Sequence, residues 1–137
     1  MKKNERKIIN VLNTYFKDDK PILCPNKYHR FDAYNNNYII EIKYRNKLYQ
    51  DFLIEFDKYA YNRLYAEINN RKFLYVVGVD DDIYVYNITN LDKSGYKYNW
   101  HMREMPKQTE FDKNWDVDKY VGYLELWAAK KIGEENG

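Results

Sequence analysis

The sequence predicts an α/β domain built on a mixed sheet with helices against it, and three observations carry that prediction. Two alternating stretches, Tyr28 to Asn35 and Tyr38 to Tyr44, flank the dipeptide Asn36-Asn37. Phe73 to Val79 is almost wholly β-branched or aromatic and reads as a strand buried on both faces. Apolar residues recur at helical spacing in Asn4 to Phe16 and in Leu48 to Asn69.

Each element has its own reason. In the first helix Ile8, Ile9, Leu12, Tyr15 and Phe16 share one side, and Asn4 can cap it. Pro21 and Pro25 place a loop over 18–26, with Ile22-Leu23 as a short extended piece. Asparagine tolerates the positive φ of a two-residue hairpin turn, so Asn36-Asn37 joins two antiparallel strands. A long helix follows over Leu48 to Asn69, with Phe52, Leu53, Phe56, Ala60 and Leu64 as its stripe. Asp80-Asp81-Asp82 turns the chain into a strand from Ile83 to Ile88. Leu91 to Asp116 lacks clean periodicity and reads as an irregular excursion with one strand. Asp118 to Ile132 reads either as a helix or as a strand over Tyr120 to Leu124 followed by a helix.

The 137 residues fit one domain, with a core over about 1–90 and an irregular extension over about 91–137. A net charge of +2 means that any nucleic-acid-binding surface must be local. The one cysteine, Cys24, can form no internal disulfide, which points to a reducing, cytoplasmic setting. No apolar run approaches the ~20 residues needed to span a bilayer, so no membrane partner is expected. The 16 tyrosines, with abundant lysine and asparagine, are explained by AT-rich codons, as in a phage, a virus or an AT-rich bacterium. For a phage-encoded protein the setting is the host cytoplasm.

The hairpin carries the chemistry. A two-residue turn sets Ala33 opposite Ile40, Asp32 opposite Glu41, Phe31 opposite Ile42 and Arg30 opposite Lys43. Arg30, Asp32, Glu41 and Lys43 then share one face, and Phe31, Ala33, Ile40 and Ile42 the other. Opposed carboxylates destabilise a strand pair unless a proton or cation compensates. A divalent ion such as Mg²⁺ suits a few carboxylates plus waters. Lys43 could orient or deprotonate a water, or stabilise phosphate charge. The plainer alternative is a surface face on which Arg30 or Lys43 neutralises the acids and no metal is needed.

Asp32 followed by Glu41-Ile42-Lys43 resembles the PD-(D/E)xK nuclease superfamily, with Phe31 where the family name has proline. The resemblance covers about 1–88 and implies a restriction-endonuclease-like mixed sheet flanked by helices. It implies that Asp32, Glu41 and the Ile42 carbonyl bind Mg²⁺, or Mn²⁺, and that Lys43 assists the attacking water. It also implies that Glu5, on the inward side of the first helix, reaches the metal, and that Lys58 from the long helix lies near the scissile phosphate. Glu5 could equally serve the helix dipole, and Lys58 could pair with Glu55. Tyr61 and Gln50 are weaker candidates.

The expected activity is Mg²⁺-dependent hydrolysis of DNA by an endonuclease, with RNA not excluded and a homodimer possible. The alternative is a non-catalytic nucleic-acid-binding or phage accessory protein on the same fold. His29 flanks the site, and Arg103, Lys107 and Lys97 could touch phosphates. The triple aspartate lacks the glycine and distal glutamate of a calcium loop. No zinc spacing, nucleotide-cradling glycine loop or serine-nucleophile motif is present.

Overall fold

A computed structural model describes residues 3–25, 30–106 and 116–133. The order is α1 (Lys3–Tyr15), β1 (Ile22–Leu23), β2 (Ala33–Tyr34), β3 (Tyr38–Arg45), β4 (Asp51–Glu55), α2 (Phe56–Ile68), β5 (Lys72–Val79), β6 (Asp82–Asn87), α3 (Ile88–Lys93), β7 (His101–Pro106), β8 (Asp116–Glu125), a single 3-10 turn, and β9 (Lys130–Gly133). The chain is thus a mixed α/β protein. One sheet has six strands in the order β1-β2-β3-β5-β6-β9, and a second has three, β4-β8-β7. Among the described residues only β3 and β5 pair in parallel. Among the described residues no helix is long and apolar enough to cross a membrane.

Alternation along the strands divides the core. Ile40, Ile42, Leu74, Val76, Ile83 and Val85 face α1, which buries Ile8, Ile9 and Leu12 against them. Ile39, Phe73, Tyr75, Val77, Tyr84 and Tyr86 face the other way, toward Phe52, Ile54 and Leu124 of the second sheet and Ala66 of α2. The central strands are therefore covered on both faces, as a parallel pair requires.

The expected helix over Leu48 to Asn69 is half strand. Residues 51–55 form β4, with Phe52 and Ile54 buried and Asp51, Leu53 and Glu55 half-buried. Phe52 and Phe56 satisfy either a helical pattern with Leu53 or an alternating one with Ile54 over so short a run. Pairing with β8, from Asp51 opposite Glu125 to Glu55 opposite Val121, decides for the strand. Leu64, assigned to the buried stripe, is 61% exposed; Asn62 and Ala66 take the inward positions instead.

The described residues after 90 hold more regular structure than the sequence suggested. Between 88 and 106 it holds α3 and β7, and the expected terminal helix is replaced by β8, the 3-10 turn and β9. The alternative of a strand over Tyr120 to Leu124 holds; the helix after it does not. Val121, Leu124 and Tyr98 are buried, so the core extends well past residue 90.

Gly122 is fixed by close approach. A Cβ there would lie 2.8 Å from the Tyr98 Cβ and 2.9 Å from Trp100 ring atoms. Neither neighbour is the loose end of a flexible chain. Gly122→Ala should destabilise the protein by about 1–3 kcal/mol through overpacking, measurable as a lower urea midpoint; an unchanged midpoint would refute this contact.

Candidate functional site

The hairpin turn is built as its sequence suggests, with an added anchor. Asn35 donates its backbone N–H to Tyr38 O at 3.0 Å, and its side-chain oxygen accepts from the backbone of Asn37 and Tyr38 at 3.0 and 2.7 Å. Asp19 reaches across from the first loop to accept from Asn36 and Asn37. Ala33 lies opposite Ile40, the register the turn predicts.

Beyond Ala33 the ladder departs from the expected register. The Asp32 N–H donates to Ile40 O at 2.8 Å, the same residue that Ala33 faces. Regular pairing ends there, and Phe31 packs in the cluster with Ile39 and Tyr65, not on the Ala33 side. The face-by-face expectation therefore holds for Ala33, Ile40 and Ile42 and fails for Phe31. In place of a backbone bond, the Asp32 carboxylate accepts the Ile42 N–H at 2.7 Å. One carboxylate oxygen thus fixes the position of Asp32 relative to β3.

Glu41 and Lys43 alternate with Ile40 and Ile42 and so share the α2 side of the sheet. Lys58, in the first turn of α2, places its Nζ 3.3 Å from Glu41 Oε2, and the Lys43 Nζ is 3.8 Å from the same oxygen. Lys58 therefore pairs with Glu41; Glu55, its alternative partner on the plainer reading, pairs instead with Lys119 at 2.9 Å. Glu41 is 4% exposed, and its Oε2 accepts no hydrogen bond of good geometry despite the two ammonium groups. The carboxyl is pushed up to about 7, first by burial and then by the charge of Asp32 and a hydrogen bond with it, against the opposing pull of Lys43 and Lys58. Burial likewise lowers Lys43, a shift that Lys58 reinforces and Glu41 resists. Lys58 moves the other way: burial pulls it down, but the negative charge of Glu41, helped by Glu55, outweighs that.

These groups line an open cleft of about 600 Å³ that also takes in Glu5, Arg30 and Ile42. Every residue singled out as catalytic or metal-binding from sequence thus borders one depression: Asp32, Glu41, Ile42 and Lys43 from the hairpin, Lys58 from α2 and Glu5 from α1. Among the described residues, however, no three His, Cys, Asp or Glu side chains are gathered to hold an ion. Glu5 borders the cleft without completing such a group.

Two carboxylates close enough to share a proton, one with a buried oxygen lacking a hydrogen bond, fit a hard divalent cation that retains waters. The residues able to hold it are Asp32 and Glu41, with Ile42 beside them.

The other candidates separate cleanly. Tyr61 lies under the Arg30 guanidinium, 4.8 Å from its carbon. Gln50 gives its carbonyl to Leu126 N and borders neither cleft described here. Lys97 is exposed and away from both clefts. Arg103 borders a second cleft next to the first. His29 and Lys107 lie outside the described residues. Arg45 and Asp57 line the first cleft and went unnoticed in the sequence. Arg45 was readable, since it continues the alternation of Glu41 and Lys43; Asp57 had no such signal.

Neither models of known protein families nor curated proteins match the chain.

Proposed function

We propose that the chain is a Mg²⁺-dependent nuclease, an endonuclease hydrolysing phosphodiester bonds in DNA on a restriction-endonuclease-like fold. What supports this reading above all is the convergence of Asp32, Glu41, Lys43 and Lys58 around one buried carboxylate oxygen. A fold has little reason to bury an acid whose proton comes off near neutrality unless ionising it does something.

The division of labour follows from the positions. Mg²⁺, when bound, polarises the phosphate and lowers the pKa of a water. Asp32, fixed by the Ile42 N–H, and Glu41 provide its carboxylates. Lys43, its ammonium made more acidic by burial, orients the nucleophilic water and exchanges protons with it. Lys58 sets a positive charge beside Glu41, where the non-bridging oxygens of the phosphate gain charge as water adds and the P–O bond to the leaving sugar breaks. Arg30 and Arg45 on the cleft wall take flanking phosphates.

A second reading has its own supporting observation. Lys43 and Lys58 together balance the charges of Asp32 and Glu41 without any metal, as a non-catalytic nucleic-acid-binding domain would permit. A cleavage panel over duplex, branched and single-stranded DNA with Mg²⁺ or Mn²⁺ separates the two. Cleavage should require the metal and should fall by about 10²–10⁴-fold in Asp32→Ala and in Lys43→Ala. Full activity in a clean Asp32→Ala preparation, or none in wild type on any substrate, defeats the nuclease reading.

A further inference from the structure

The second cleft, about 470 Å³ in volume, adjoins the first, with Lys43 and Arg45 bordering both. Its far wall is one face of the three-stranded sheet. The register sets Leu53 opposite Tyr123 and Arg103 opposite Lys119, and alternation brings all four to that face. The opposite face carries Phe52, Ile54 and Leu124 and is buried in the core. The sheet thus has an apolar side turned inward and a cationic, aromatic side turned to the cleft.

The charges in this cleft do not fully cancel: Lys43, Arg45, Arg103 and Lys119 outnumber the carboxylates Asp51 and Glu55. Lys119 is matched by Glu55 at 2.9 Å. Arg45 and Arg103 pair with no carboxylate among the described residues: Arg45 donates to Tyr44 O at 3.4 Å and Arg103 to the Tyr123 hydroxyl at 3.4 Å. Tyr123 is held as a rigid plate, its ring stacked on His101 at 5.2 Å and its hydroxyl 3.3 Å from His101 Nε2. Guanidinium groups without a carboxylate partner, bordering the same cleft as an oriented ring, suit alternating phosphates and bases. The volume lies within the roughly 300–1,000 Å³ typical of small-ligand sites and admits one or two nucleotides, and a base stacks on Tyr123 only once it has left a duplex.

We propose that this second cleft binds an unpaired nucleotide strand continuing from the phosphate in the first cleft, with Arg45 and Arg103 on its phosphates and Tyr123 stacking a base. The proposal deepens the nuclease reading, on which it rests for the idea that the strand passes through the acid-lysine cluster. It assigns the substrate a single-stranded flank and gives the second sheet a purpose.

Binding without turnover tests it separately from cleavage. The probes are a fluorescent oligodeoxythymidylate of about ten nucleotides, an oligouridylate of the same length and a duplex, each titrated by anisotropy in EDTA. Arg103→Gln, on the exposed edge strand β7, should weaken single-strand binding about fivefold and reduce the salt dependence by about one phosphate contact. Tyr123→Ala should weaken it about tenfold and Tyr123→Phe hardly at all, because the ring rather than the hydroxyl is the platform. Preference for the deoxy or the ribo strand names which polymer the cleft takes, and either result supports it. Unchanged binding in folded Arg103→Gln overturns the proposal whether or not the enzyme cuts DNA, and so does equal weakening of duplex binding. Single-strand binding that depends on Arg103 and Tyr123, without any cleavage, would leave this cleft standing and remove the nuclease reading.

Discussion

A Glu41→Gln protein should lose metal-dependent cleavage by about two orders of magnitude or more and yet be more stable than wild type at about pH 8 in EDTA. The first half follows from removing a proposed carboxylate ligand. The second follows from burial. A rise of the Glu41 carboxyl from its ordinary 4.5 to about 7 corresponds to about 3 kcal/mol of preference for the protonated form in the folded state. The folded protein holds this proton more tightly than the unfolded chain does. The associated stability is therefore fully present below about pH 4.5, declines as pH rises, and is gone above about 7. Glutamine imitates the protonated acid and keeps the advantage at every pH. Urea melts from about pH 5 to 8 should show wild type losing up to about 3 kcal/mol across that window relative to Glu41→Gln. Adding Mg²⁺ at high pH should restore stability to wild type and not to the variant. Parallel pH profiles would mean that the carboxylate is comfortably solvated and the cluster has no latent charge to offer an ion.

The candidate site was more legible in the sequence than the fold that carries it, for a local reason. Asn36-Asn37 fixes a two-residue turn, and the positions of Ala33, Ile40, Glu41 and Lys43 then follow by counting in twos. Counting fails where the chain stops pairing. At Asp32 a side-chain bond to the Ile42 N–H replaces a ladder bond, and Phe31 swings to the other core. No periodicity announces that exchange. β4 was illegible for another reason: its partner β8 begins more than sixty residues later, and long-range pairing overrides an ambiguous local pattern. The second cleft depends on the same distant pairing, so Tyr123 and Lys119 carried no signal, and Arg103 was noticed only as a basic residue in an unassigned stretch.

Asp92→Ala should be among the most destabilising single substitutions outside the apolar core. Asp92, at the end of α3, is a hub: it accepts from the Tyr98 hydroxyl at 2.7 Å, the Tyr59 hydroxyl at 2.9 Å and Arg63 Nε at 2.9 Å. Tyr59 and Arg63 belong to α2, and Tyr98 leads into β7. One carboxylate therefore fastens the helix bearing Lys58 to the segment that feeds the second sheet. Burial, followed by the bond to Asp92, pushes the Tyr59 phenol up to about 12, and the same two causes push Tyr98 further. Alanine would strand the hydroxyl of Tyr98, which is 4% exposed, and leave Arg63 without its inner partner. Losing an acceptor from a mostly buried charged network carries a penalty of about 3 kcal/mol, or roughly 10 °C in melting temperature for a domain of this size. Arg63 keeps its exposed partner Glu67 at 2.8 Å, which cannot substitute for a bond made from inside the network. Asp92→Asn retains an acceptor but not the charge and should fall between the two proteins. Asp92 borders neither cleft, so the folded fraction of Asp92→Ala, assayed well below its melting temperature, should keep the cleavage rate of wild type. Glu41→Gln and Asp92→Ala thus move stability in opposite directions, and cleavage should follow only the first. A large rate loss in folded Asp92→Ala would mean that the hub also sets the position of Lys58.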